Sequence, residues 1–195
     1  METSRSTAKT HSIHEIAYIG ILAALIAICS WISIPTPTEI SFTLQTFAVC
    51  VVVGLLGTKR GTLTVLIYIL LGLIGLPVFS GFRAGAGALF GATGGYIIGF
   101  LFMGLVTGWL LEHWGRSIPV MALSMSAGLA VCYLFGTIWF VQVYAGSSGP
   151  IGFGAALAMC VVPYLLPDLL KIILAIWVVR RVSPYITLKE NVSCP

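Results

Sequence analysis

Asp168 and Lys171 are opposite charges three residues apart, set inside an apolar run from about Phe153 to Val179. A charge at bilayer depth costs roughly 2.5–3.5 kcal/mol on insertion scales, so it pairs, faces a cavity, or does both. Their spacing places the two side chains about one turn apart on the same helix face. Pro163 and Pro167, in the same stretch, each lack a backbone donor and would free the carbonyls of Met159 and Pro163. Irregular backbone at membrane depth persists only where protein or a wet cavity satisfies it. The stretch therefore predicts a polar pocket, against the alternative of an internal Asp–Lys pair that only locks helix packing. Lysine offers three donors and an ionised aspartate accepts from N–H groups, so the two together suit a small molecule with both an acid and N–H donors. A proton relay is the competing use of an embedded carboxylate.

Other residues extend the candidate site. Arg83 sits in a glycine-rich segment, Ser80 to Ala88, where it either clasps an anionic ligand or stays solvated at headgroup level. Phe79 and Phe82 flank it, to cover a ligand's hydrocarbon part or to anchor at the membrane interface. Thr43 and Gln45 open the second apolar span; a glutamine there faces inward, to the pocket or to a neighbouring helix. Gln142 reads as interfacial. Tyr96 and Tyr164, the latter in the same stretch as Asp168, complete the expected ligand contacts. Ala23 and Ala27, with Gly20 and Ala24 beside them, space small residues four apart, which lets a second helix approach closely. That helix is either internal or a separate subunit. The glycines from Gly91 to Gly99 suggest tight packing of the fourth span.

Chemistry of other kinds is excluded. The five cysteines are scattered singly, with no C-x-x-C or Cys/His cluster to hold a metal or frame a disulfide network. No nucleophile elbow and no P-loop occur, so the chain does not hydrolyse ATP, and no catalytic constellation marks an enzyme.

The elements that must position these residues follow from composition. Of 195 residues, 58% are hydrophobic and only 8% charged, against about 25% charged in soluble domains. The mean hydropathy is +1.05. The sequence predicts an all-α membrane protein with six transmembrane helices in one bundle. The spans run from about Ile16 to Ile34, Phe42 to Leu56, Thr62 to Val78, Gly94 to Leu111, Ile118 to Tyr144 and Phe153 to Val179. Residues 1–12 read as a polar tail, 13–182 as the helical domain and 183–195 as a C-terminal tail. Pro35-Thr36-Pro37 with Glu39 reads as a turn. With the N-terminus inside, Arg5, Lys9, Lys59, Arg60, Arg116, Arg180, Arg181 and Lys189 share one side and only Arg83 falls on the other. Both termini are then cytoplasmic and the pocket faces outward.

Four segments together resemble a known family: Thr43-Leu44-Gln45-Thr46-Phe47-Ala48-Val49, Gly72 to Phe79 with its Gly-Leu-Pro-Val-Phe ending, Gly94-Gly95-Tyr96-Ile97-Ile98-Gly99-Phe100, and Asp168-Leu169-Leu170-Lys171. In order and spacing, over about residues 13 to 182, they resemble the BioY biotin transporters, substrate-binding S components of energy-coupling factor transporters. Ala92 stands where many members carry proline. The resemblance implies six helices, an outward biotin pocket in the cell membrane, and pairing with a transmembrane T subunit and two cytoplasmic ATPases. It implies biotin binding by Asp168 and Lys171, and T-subunit docking by Ala23 and Ala27. It implies biotin as transported ligand, with no cofactor and no nucleic acid. Either Lys171 or Arg83 would take the biotin carboxylate and Asp168 a ureido N–H, or the reverse. Two other classes stay open. An ion-coupled carrier would show uptake that depends on membrane potential, and a non-transporting membrane subunit would not bind ligand as a purified chain.

Overall fold

Long apolar runs leave the backbone no hydrogen-bond partner in lipid but itself, and helices result. The structure, a computed structural model, describes residues 2–34 and 41–186, without the side chains of residues 2–12 and 147–148. The expected turn at Pro35-Thr36-Pro37 with Glu39, and Lys189 and Cys194 of the C-terminal tail, lie outside the described residues. Seven helices follow in order: α1 (Glu2–Trp31), α2 (Gln45–Leu73), α3 (Ala86–Phe90), α4 (Gly94–Trp114), α5 (Ile118–Ser148), α6 (Phe153–Cys160) and α7 (Val162–Val182). Among the described residues, five helices are long and apolar enough to cross a membrane. A two-residue antiparallel ribbon, β1 (Ser33–Ile34) with β2 (Phe42–Thr43), joins α1 to α2 in the register Ser33↔Thr43 and Ile34↔Phe42.

The expected second and third spans form the single element α2, but it is not straight. Gly57 has φ 75 and ψ −172, a conformation that is essentially confined to glycine. Beyond it the chain turns back. Gln45 Nε2 donates to the Tyr68 hydroxyl at 2.6 Å across 23 residues, a separation that a straight helix would draw out to about 35 Å. The end of α4 closes the break from both sides. The Arg116 guanidinium donates to the Gly54 carbonyl at 3.1 Å, and the backbone N–H of Thr58 donates to Glu112 at 2.9 Å. A cation on exposed carbonyls and a carboxylate on an exposed N–H are the favourable signs for helix ends. The first arm of α2 is the centre of the core: Val49 to Val53 are buried on every side.

The glycine-rich segment from Ser80 to Ala88 contains a 3-10 turn, Ser80–Phe82, and leads into the short α3. The expected sixth span is interrupted at Val161 (φ −122, ψ −51), which separates α6 from α7. Pro163 therefore occupies the first turn of α7, where its missing N–H deprives nothing. Pro167 does lie inside α7 and leaves the Pro163 carbonyl without its helical donor. In addition, α1 extends back to Glu2, through the segment expected as a polar tail.

Candidate functional site

The start of α2 with the residues just before it, the loop of Ser80 and Arg83, the first turns of α4, the middle of α5, the end of α6 and the first half of α7 surround a cavity of about 80 Å³. Asp168 and Lys171 lie on its wall, 3% and 6% exposed. Lys171 Nζ donates to Asp168 Oδ1 at 2.6 Å and to the Thr43 carbonyl at 2.6 Å. The Phe42 ring covers the remaining side of the ammonium, its centroid 4.0 Å away, a contact stabilised by the ring's quadrupole. Thr46 Oγ1 donates to Asp168 Oδ1 at 3.0 Å, and the Tyr133 hydroxyl donates to Oδ2. An ionised carboxylate has about four acceptor positions. Three are taken, and the remaining one belongs to Oδ2. Desolvating an ion pair is expensive, and only such additional hydrogen bonds offset it. The lysine has two of its three donors hydrogen-bonded and an aromatic ring beside it, while the aspartate keeps one acceptor for something else.

The walls are built from neighbouring elements. Gln45 donates to Tyr68, and Tyr68 donates to the Val78 carbonyl at 3.1 Å. Ser30 of α1 donates to the same carbonyl. A chain of hydrogen bonds thus runs from α1 through the loop after α2 to the cavity wall. Thr43 Oγ1 donates to Gln45 Oε1 at 3.0 Å. The Tyr96 hydroxyl pairs with Thr137 Oγ1 at 3.2 Å, which fixes its ring on the α5 side. Arg83 donates from Nε to the Ser80 carbonyl at 3.1 Å and from Nη2 to Thr93 Oγ1 at 3.3 Å. Among the described residues, three of its five N–H donors are left for a ligand. The loop carrying Arg83 is tied to α1: Trp31 Nε1 donates to the Pro77 carbonyl at 2.8 Å, and its ring stacks on Phe82 at 5.3 Å. Phe82 holds φ 58, a left-handed conformation uncommon for an aromatic residue.

Of the residues expected to contact a ligand, Thr43, Gln45, Arg83, Tyr96, Tyr164, Asp168 and Lys171 line the cavity. Phe79 does not. Its ring is fully buried, edge-on to Tyr68 at 5.6 Å, and fills a notch where a Cβ on Gly72 would lie 2.0 Å from it. Only a residue without a side chain leaves that notch, so Phe79 anchors the loop from beneath. Phe82 is exposed and Gln142 lies outside the cavity. Ala23 and Ala27 are 2% and 7% exposed. Their small side chains pack α1 against this chain's own core, while Ala17, Gly20 and Ala24 face outward. Tyr133, Thr46, Ser41, Ser80 and Thr93 also line the cavity and were not foreseen. Thr46 follows Thr43 by three residues on the same helix entrance, a legible signal; Tyr133, in the apolar middle of α5, gave none. Cys132 and Cys160 contribute thiols to the wall, and no group of His, Cys, Asp or Glu among the described residues is arranged to hold a metal.

Comparison with known proteins agrees with this geometry. The chain is 38% identical over 164 residues, 84% of its length and 92% of the relative's, to the biotin transporter BioY of Thermotoga maritima. It is 34% identical over 172 residues, 87% of its length and 96% of the relative's, to a probable biotin transporter BioY of Pyrococcus horikoshii. Among solved structures it is similar to the S-component for biotin from an ECF-type ABC transporter, with a TM-score of 0.81 and 27% identity over 90% of this chain and 93% of that one. A match to the BioY family as a whole runs from residue 2 to residue 187. With nearly its full length accounted for, the chain belongs to the BioY family.

Proposed function

We propose that this chain is the biotin-binding S component of an energy-coupling factor transporter, a transport protein rather than an enzyme. The observation that carries the reading is the single unfilled acceptor on Asp168 Oδ2, at a cavity whose mouth holds an arginine with spare donors. Biotin offers ureido N–H donors at one end and a carboxylate at the other. Asp168 takes a ureido N–H, and Arg83 takes the carboxylate. Lys171 pairs with Asp168 and ties α7 to Thr43. Gln45, Thr43, Tyr96 and Tyr164 line the space between.

The two arms of α2 act as separate membrane segments, making six in all. The termini face the cytoplasm, the cavity faces outward, and the protein is multi-pass in the cytoplasmic membrane. Energy comes from elsewhere, because the sequence has no nucleotide-binding loop. A transmembrane T subunit and cytoplasmic ATPases supply it, and the outward small-residue face of α1, Gly20 and Ala24, is where the T subunit docks. Gly20→Leu should then abolish uptake and leave biotin binding by the purified chain unchanged.

Biotin binding by the purified protein, measured by calorimetry beside Asp168→Asn and Lys171→Met, tests the site. Binding by the unmutated chain and its loss in both folded variants is the expected result. A folded chain that binds no biotin would remove the reading and leave the pair as a packing lock.

A further inference from the structure

We propose that the groove between the N-terminal end of α5 and the C-terminal half of α7 binds an anionic phospholipid. It is about 390 Å³ in volume and lined by Ile118, Ile173, Ile176, Trp177, Arg180 and Arg181. The α7 members recur at the spacing of one helix face. Ile118, Ile173 and Trp177 are exposed, at 51%, 65% and 59%, so the groove is open to the surrounding solvent or lipid. Its two ends differ in chemistry. One is apolar; the other carries two guanidinium groups in the last turn of α7.

Among the described residues no carboxylate pairs with those guanidinium groups. Among residues with described side chains the carboxylates are Glu15, Glu112 and Asp168, and each is engaged elsewhere: with Arg60, with the N–H of Thr58, and with Lys171. The α5 side adds a further positive contribution. Its N-cap, Ser117, makes no side-chain capping bond, and Pro119 follows in the first turn. The positive end of the α5 dipole is thus left at the groove. Arg181 lies over the Trp177 ring, 5.9 Å from its centroid, and tryptophan beside arginine at a helix end is the composition of a membrane–water boundary.

The length fits a lipid. From Arg180 to Ile173 is seven residues, about 10.5 Å along the helix. A phosphate on the guanidinium groups would lay its glycerol and first methylenes on Trp177, Ile176 and Ile173. A free phosphate would leave those apolar walls wet, and a zwitterionic headgroup would bring a cation against two arginines. Basic pockets beside membrane helices take acidic headgroups for this reason.

The test is native mass spectrometry of the purified chain in detergent with dioleoylphosphatidylglycerol, dioleoylphosphatidylcholine or glycerol 3-phosphate. Phosphatidylglycerol should be retained as a one-to-one adduct. Arg180→Gln with Arg181→Gln should lower that retention about thirtyfold, at roughly a fivefold loss per arginine. Trp177→Ala should lower it less. Equal retention of the two lipids overturns the proposal, as does glycerol 3-phosphate binding as well as lipid, which would mark a simple anion site. Unchanged lipid retention in the double arginine variant also overturns it. Lost recovery of partner subunits in that case would assign the groove to a protein contact.

Discussion

The Tyr133 hydroxyl, on α5, donates to Asp168 Oδ2, on α7, across 35 residues of sequence. That oxygen is the one that keeps an acceptor position open toward the cavity. Tyr133 therefore fixes where the carboxylate points. Tyr133→Phe keeps the ring and removes the donor. Hydrogen bonds to charged groups contribute about 1.5–3 kcal/mol, so ligand affinity should fall about tenfold or more by calorimetry. The loss should be confined to ligands with ureido N–H donors. An equal loss for analogues lacking those donors would make the tyrosine a packing residue instead.

Lys171 and Asp168 should respond differently to single and paired replacement. Removing one partner of a buried pair strands a charge and costs about 3–5 kcal/mol. Lys171→Met should therefore melt well below the unmutated protein. Asp168→Asn combined with Lys171→Met should recover much of that stability, because no buried charge remains. Ligand binding should be absent from both. A double variant that regains binding along with stability would show that the pair serves packing alone.

At Gly57 an alanine meets a backbone that it rarely adopts. With φ 75 and ψ −172, the substitution should cost about 1–3 kcal/mol, read as a lowered thermal midpoint in detergent. Gly20, helical and with open space around its Cα, is the control: Gly20→Ala should hold or raise the midpoint, since alanine is about 1 kcal/mol the better helix former.

Trp31 should control how long a ligand stays. It holds the Arg83 loop by one hydrogen bond and one ring stack. The cavity of about 80 Å³ is well below the ~300–1,000 Å³ of ordinary small-molecule sites, so a bicyclic ligand must widen it. The exposed stretch 81–83 of the loop is the wall with room to move. Trp31→Ala should raise the ligand dissociation rate about tenfold, the equivalent of 1.4 kcal/mol, in stopped-flow displacement. Trp31→Phe, which keeps the stack, should raise it less. Unchanged dissociation in Trp31→Ala would place the gate elsewhere.

How much of this the sequence made legible depended on contrast. Asp168, Lys171 and Gln45 stand out because polar groups in apolar runs need partners, and all three line one cavity. Tyr133 did not stand out, since a tyrosine in a membrane helix has many ordinary uses and its partner lies 35 residues away. Phe79 was misplaced because being four residues from Arg83 says nothing about which side of a loop a ring enters. The Gly72 notch decides that, and it is a tertiary feature. Ala23 and Ala27 posed the same problem on a helix: spacing marks a stripe of small residues without saying whether it faces in or out. The gap between the expected second and third spans, from Leu56 to Thr62, did mark the fold-back of α2, though the structure needs only Gly57 to make it. The break at Val161 was hidden, because prolines nearby drew attention to themselves.

The fold-back of α2 has a consequence for the bilayer around it. Its first arm is enclosed by protein, so lipid meets only the second. The exposed large apolar residues within that helix are Leu63, Leu66, Leu70 and Leu73. Ten residues of helix separate the first from the last, about 15 Å, half the roughly 30 Å of hydrocarbon that a membrane presents. Lipid tails beside this arm have too little apolar surface to cover their full length, and a bilayer relieves such hydrophobic mismatch by thinning locally. Local thinning of the bilayer along this flank is the expected consequence, one that longer-chain lipids would resist.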